Sequence, residues 1–468
     1  MQSSAPGHSL EADTRFLTET FRHALLPAML SMGGIMASTL TTSFLAGNLL
    51  GDETLAILSI VNPVYFLFAT IGSLAGVGAA SLAAWCIGKD DQESLQAAVT
   101  LAALPSLVLS AVLLLLGVLF CGPLAALLGS SGDLLEPTCQ YLLVYLFSGL
   151  GIAGVYAPFF LLKLQGRHKL SIALFVGLAV GCVALELFSV RVLHLGLNGI
   201  ALGWTVANLI VTAPGWLCLL GRKTDYRLLC ALSKLKPYTL RLMTAGSPAA
   251  LNNLCSVLRT MALNLAIVPL AGQLGLSAFS VVSMANNLAL IIINGLPQTT
   301  NPFVGVFSSE RDTVSLRQLM VQALRSGLLL IAAFSLLLAL LAKPFCAMFG
   351  VTAQDTLAVA LPVIRLFALS LPLNLLSSLM MNYYLSSGRT WLANLLTGTR
   401  AYLMVVLSLR LLQPLGIVGV WLSFTTAELL GWIAAGSPPF RAFCCWTGAM
   451  SRTAATFPSP STPPRTTF

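Results

Sequence analysis

The chain has 468 residues, 57% of them hydrophobic and only 9% charged, with a mean hydropathy of +0.88. A soluble domain carries about 25% charged residues, so this chain cannot cover a water-facing surface and belongs in a bilayer. The net charge of +9 would suggest a nucleic-acid partner in a soluble protein; here the placement of lysine and arginine relative to the membrane accounts for it, and no nucleic acid is implied.

Apolar runs of about 20 residues, the length of a spanning helix, recur along the chain. They predict helices near residues 22–46, 55–87, 95–119, 137–161, 169–190, 198–220, 242–269, 276–306, 318–341, 356–385, 391–409 and 415–436. Residues 1–20 are polar, and the run that follows is too long for a signal core, so this stretch is read as a cytoplasmic segment. Residues 21–220 form a first lobe of six helices, 221–241 a basic linker, and 242–436 a second lobe of six. Residues 437–468, rich in Pro, Ser and Thr, read as a disordered tail. Pro27, Pro63, Pro248, Pro297, Pro302 and Pro372 are expected to kink their helices.

The two lobes are expected to be copies of one unit. Leu195–Ile210 reads LGLNGIALGWTVANLI and Leu415–Leu430 reads LGIVGVWLSFTTAELL, so Gly196 meets Gly416, Gly199 meets Gly419 and Thr205 meets Thr425 without a gap. Asn208 against Glu428 is the one chemically large change. Shorter echoes follow in the same order: Pro27 with Pro248, Asn62 with Asn286, and GRHKL from Gly166 with GRTWL from Gly388. The fold class is therefore an all-α membrane protein of about twelve transmembrane helices in two six-helix lobes related by internal repeat.

Basic residues fix the expected orientation. Lys163, Arg167 and Lys169 lie in one loop, Arg222, Lys223, Arg227, Lys234, Lys236 and Arg241 in the central one, and Arg311 and Arg317 in a third. The alternate loops at Gly47–Glu53 and Leu270–Gly275 have none. The positive-inside rule puts both termini and the central loop on the cytoplasmic side of a cell membrane. The ten cysteines contain no CxxC pair and are read as reduced core residues, with a Cys121–Cys139 disulfide as the lesser alternative.

Fourteen of the sixteen acidic residues lie in loops, termini or helix ends; Glu186 and Glu428 alone fall well inside predicted spans. A charge in the hydrocarbon costs at least ~2.5–3.5 kcal/mol on insertion scales. Each is therefore a candidate for exchanging a proton or cation, against the alternative of a paired or protonated brace. Arg259 and Arg365 lie deep in predicted spans, and are read as neutralising these glutamates or receiving an anionic group. Asn287, Asn294, Gln298 and Asn301 share one helix face and, with Asn382, suggest a water-filled substrate cavity. No HExxH, P-loop or GxSxG motif is present, so no enzyme is read here, no metal or cofactor is expected, and transport would draw on an ion gradient.

The ordered set of Gly47–Ile60, Gly76–Ser94, Leu195–Ile210 and Pro297–Asp312 resembles the multidrug and toxic compound extrusion (MATE) family over about residues 20–435. The resemblance implies a monomeric fold of two lobes, rocking around a central cavity to export amphipathic, often cationic, small molecules in exchange for Na⁺ or H⁺. The first-helix aspartate of many members falls at Thr42. Their Asn-x-x-x-Asp pair in the fifth helix falls at Cys182 and Glu186. Glu186 is then the leading coupling residue and Glu428 the second, with Thr42 offering a hydroxyl to a cation. Two alternatives stand beside this reading. One is an exporter of lipid-linked or polysaccharide precursors, favoured by Arg259, Arg365 and Arg400; the other is a non-transporting relative.

Overall fold

A computed structural model of the chain describes residues 39–87, 92–221, 235–309, 313–386, 390–411 and 415–435, with isolated positions between 19 and 36 and at 227 and 229. Every regular element among them is helical. Helix α1 covers residues 39–50. It is followed by α2 (Asp52–Ile87), α3 (Gln92–Leu119), α4 (Cys121–Leu127), α5 (Leu135–Tyr145), α6 (Ser148–Leu164), α7 (His168–Arg191) and α8 (Gly196–Leu219). The second half holds α9 (Lys236–Ser309), α10 (Thr313–Leu340), α11 (Ala342–Met348), α12 (Gln354–Ser386), α13 (Thr390–Val406, extended by a π-turn over Leu407–Leu411) and α14 (Ile417–Ala435). The N-terminal segment, most of the central linker and the tail lie outside the described residues.

Helix α9 has 74 residues, about 110 Å at 1.5 Å per residue, far longer than a bilayer is thick. It bends where Gly272 leaves helical geometry (φ 52°, ψ −138°) and so makes two spans. Helices α5 and α6 meet at 43° and make one. Among the described residues seven helices are long and apolar enough to cross a membrane, eight when the bent α5–α6 pair is taken as one span; the described part of α1, 12 residues, is shorter than a span.

The repeat is visible in the backbone. Positive φ recurs at Gly51 and Gly272, at Gly129 and Gly350, and at Gly196 and Gly416, so the same turns close the same helices 220 or 221 residues apart. The short helices α4 and α11 repeat at that spacing too. So does the outer face: Val108, Leu115, Leu116 and Leu119 of α3 and Leu329, Leu336, Leu337 and Leu340 of α10 are all exposed. Large apolar groups can face outwards because lipid tails surround these helices.

The structure departs from the expected elements in particular places. The loop expected at 270–275 is a single-residue break. The helix expected over 137–161 is divided at Leu146 and Phe147, where the Ser148 hydroxyl donates to the Tyr145 carbonyl (2.6 Å). The seven-residue helices α4 and α11 were expected as loop, being too short to show a period. Pro63 and Pro372 sit inside continuous helices. Pro248, Pro297 and Pro302 leave no break in α9, whose non-helical dihedrals are confined to Gly272; Pro27 lies outside the described residues. Cys121 and Cys139 are free thiols, with the Cys121 Sγ 3.5 Å from the Cys139 carbonyl, so the alternative disulfide is absent.

The lobes meet crosswise. The turn after α11 lies against the end of α1: the Asn48 amide donates to the Met348 carbonyl (2.8 Å), and a Cβ on Gly47 would fall 1.9 Å from the Phe349 oxygen. The turn after α4 lies against α9, where the Asn264 amide donates to the Leu128 and Ser59 carbonyls (3.4 and 3.2 Å). Earlier in α9 the Asn253 amide donates to the Ala69 carbonyl and the Ser73 hydroxyl (3.2 and 3.0 Å). These amides satisfy backbone and side-chain groups where neither water nor lipid can.

Candidate functional site

Two buried carboxylates anchor two different places. Glu186 lies on the face of α7 that also carries the buried Leu178, Cys182, Ser189 and Val190, and its exposure is 0%. That face meets α8 at Gly203, where a Cβ would fall 2.6 Å from the Glu186 nitrogen and 2.9 Å from its Cγ. Glycine thus lets the two backbones close over the acid. The Thr42 hydroxyl of α1 donates to Glu186 Oε1 at 2.6 Å. Oε2 is buried with no hydrogen-bond partner among the described residues. Tyr141, Tyr145 and Cys182 lie within electrostatic reach. An unmatched carboxylate oxygen in such a setting either holds a proton or receives a cation.

Glu428, on α14 and 5% exposed, is fully engaged. Oε1 is ion-paired with Arg400 of α13. Oε2 accepts a hydrogen bond from the Ser377 hydroxyl of α12 at 2.9 Å. The carboxylate borders a cavity of about 60 Å³ between α2, α9, α12, α13 and α14, roomy enough for a few water molecules. Arg259, Asn62, Asn286, Asn287 and Asn374 bring polar groups to its wall, and Phe66, Phe279, Phe367, Phe424 and Met404 the apolar part. Phe367 and Phe424 stand edge to face at 5.6 Å.

The expected site residues separate into those the structure gathers and those it does not. Thr42 and Glu186 meet directly. Glu428, Arg259 and Asn287 share the cavity. Arg365 is exposed on the outer face of α12 beside Leu369. The helical period turns Phe367, Ser370 and Asn374 inward and carries Arg365 away, so it neither neutralises a glutamate nor lines the cavity. Arg400 fills the neutralising role instead. Asn294 is half-buried outside the cavity wall. Asn382 donates to the Ser378 carbonyl of its own helix (2.9 Å) and is also no wall residue. The side chains of Gln298 and Asn301 lie outside the described residues. Asn374, Ser377 and the two tyrosines beside Glu186 were not foreseen. Among the described residues no group of three or more His, Cys, Asp or Glu is placed to hold a metal ion.

An all-helical bundle with seven or eight apolar spans among the described residues, buried carboxylates and a polar cavity among its helices is a polytopic membrane protein. The sequence pattern of the MatE family matches residues 27–185 and again residues 248–410, and the chain belongs to that family. The double match falls on the two repeats. An inward-facing multidrug resistance MATE transporter of the MOP superfamily is similar over 90% of this chain and 96% of its own, with a TM-score of 0.77 and 18% identity. An outward-facing one is similar over 93% and 97%, at 0.72 and 17%. A MOP superfamily transporter from Pyrococcus furiosus, described by the reverse polarity of its binding pocket, is similar over 92% and 97%, at 0.71 and 18%. No curated protein sequence matches the chain. Members of the family are transporters and not enzymes.

Proposed function

We propose that the chain is a cation-coupled exporter of amphipathic small molecules, in which Glu186 carries the coupling ion. The observation behind this reading is the pairing of the Thr42 hydroxyl with one Glu186 oxygen while the other is buried with no partner among the described residues. Entry of H⁺, or of Na⁺ with its preference for oxygen ligands, would satisfy that oxygen and change the packing of α1 against α7. Alternating access then links this local event to the relative position of the lobes. Both termini and the central loop are assigned to the cytoplasmic side of a cell membrane, on the charge distribution alone. Single cysteines placed between residues 222 and 234 should react only with membrane-permeant reagents; labelling from outside would reverse the orientation.

The transport reading is tested with the whole chain in lipid vesicles, under an imposed pH gradient and, separately, an imposed Na⁺ gradient. Movement of ethidium, a cation, and of estrone sulfate, an anion, is followed in each case. One gradient is expected to drive at least one probe. If neither probe moves under either gradient, the coupled-export reading fails.

A further inference from the structure

The cavity beside Glu428 has a charge balance that coupling at Glu186 does not explain. Three charged groups lie within electrostatic reach of one another there: Arg259, Arg400 and Glu428. Two cations and one anion leave a single net positive charge. Glu428 is already committed through both oxygens, to Arg400 and to Ser377. Arg259 therefore has no carboxylate of its own, and it makes no hydrogen bond or ion pair among the described residues.

The rest of the polar wall is of the same kind. Asn62, Asn286, Asn287 and Asn374 line the cavity, and none of the four makes a hydrogen bond among the described residues. Each amide offers two N–H donors and one carbonyl acceptor and so suits either charge, whereas the guanidinium offers five donors in a planar fork and no acceptor. Ser283 and Ser370, by contrast, are already engaged with carbonyls of their own helices, at 3.0 and 2.7 Å. It is the charge that decides: a wall with one uncompensated cation, no spare carboxylate and amides able to donate favours an anion. A simple organic cation would meet Arg259 with nothing to neutralise it.

The geometry points to this cavity as the receptor for the anionic head group of the exported molecule: a sulfate, phosphate or carboxylate. Arg259 is its charge partner, and the amides of α2, α9 and α12 are its hydrogen-bond donors. At about 60 Å³ the cavity has room for the head group alone, and the apolar body that follows it lies outside this cavity. This deepens the export reading, on which it rests, by naming the substrate class as anionic or zwitterionic amphiphiles. The same chemistry is offered by a soluble organic anion and by the head group of an anionic lipid.

Equilibrium binding to the purified full chain, with no ion gradient, tests the assignment separately from coupling. The probes are estrone sulfate, its neutral parent estrone, and ethidium. Estrone sulfate is expected to bind and to raise the thermal unfolding temperature of the wild-type protein, and neither of the others should displace it at equal concentration. Arg259→Gln should weaken estrone sulfate by about tenfold to a hundredfold, the range for a charge-assisted hydrogen bond, and Arg259→Lys should recover part of it. In nanodiscs of phosphatidylglycerol, rather than phosphatidylcholine, displacement of estrone sulfate would identify a lipid head group as the natural occupant; equal binding in both would identify a soluble anion. Displacement by ethidium or estrone as effective as by estrone sulfate itself overturns the proposal, as does wild-type affinity in Arg259→Gln. Should that variant not fold, the wild-type unfolding shift with each of the three probes decides alone. Binding without gradient-driven movement would retain the anion site and reject coupling.

Discussion

Glu186→Gln is expected to lower gradient-driven movement of substrate in vesicles severalfold or more while leaving the protein folded. The side chain keeps its length, and its amide oxygen still accepts from Thr42 across the 2.6 Å contact. What is lost is the oxygen that can bind a proton or a cation. Coupling free energies between two sites typically run to 1–3 kcal/mol, so the gradient-dependent part of the flux should fall by about 5- to 150-fold. The competing account treats Glu186 as a brace that is permanently protonated and held by Thr42. On that account glutamine, a neutral isostere with the same acceptor, changes nothing. Initial rates under a pH and a Na⁺ gradient, with the melting temperature of the variant alongside, separate the two. A normal rate in a normally folded variant would remove Glu186 from coupling.

The Arg400–Glu428 pair should produce the largest effect on stability. Arg400→Met leaves Glu428 with the Ser377 hydroxyl as its remaining hydrogen-bond partner and Arg259 as the cation within electrostatic reach, at a position where the carboxylate side chain is 6% exposed. Removing one member of a buried ion pair typically costs about 3–5 kcal/mol. The Arg400 side chain is 19% exposed, so water at the cavity edge places the expected loss at the lower end. Adding Glu428→Gln to Arg400→Met should recover most of that stability, because the stranded charge is then gone and Ser377 still has an acceptor. Thermal unfolding in detergent of the single and double variants measures both. Equal melting temperatures for wild type and Arg400→Met would mean that the pair does not hold α13 to α14.

Span positions and the repeat were legible because a bilayer leaves few solutions: long apolar runs must be helices, and their edges are marked by glycine and charge. The pairing of Thr42 with Glu186 was legible only as two positions in a resembled family, since nothing in local spacing tells that α1 and α7 touch. Arg365 shows the opposite failure. Depth in a span can be read from a sequence, but which side of the helix meets the cavity depends on neighbours, and Arg365 sits on the wrong side. Arg400 carried a signal that went unused. It and Glu428 lie equally far from the turn joining α13 to α14, and antiparallel neighbours bring such residues to the same depth. The free amides of the cavity could not be told from the stitching amides Asn253 and Asn264 until their partners were seen.

The crosswise seating of the α4 and α11 turns also bears on how the chain is made. The end of α1 is covered by residues around Met348, 300 positions later in the chain, and the turn after α4 waits for Asn264, 136 positions beyond Leu128. During synthesis the first lobe emerges as a complete repeat, yet its α4 turn stays uncovered until the first span of the second lobe arrives, and its α1 end until about half of that lobe has been made. Contacts so distant along the chain form late and slowly. The duplication has thus produced two units that are separable as sequence and interdependent as folding units.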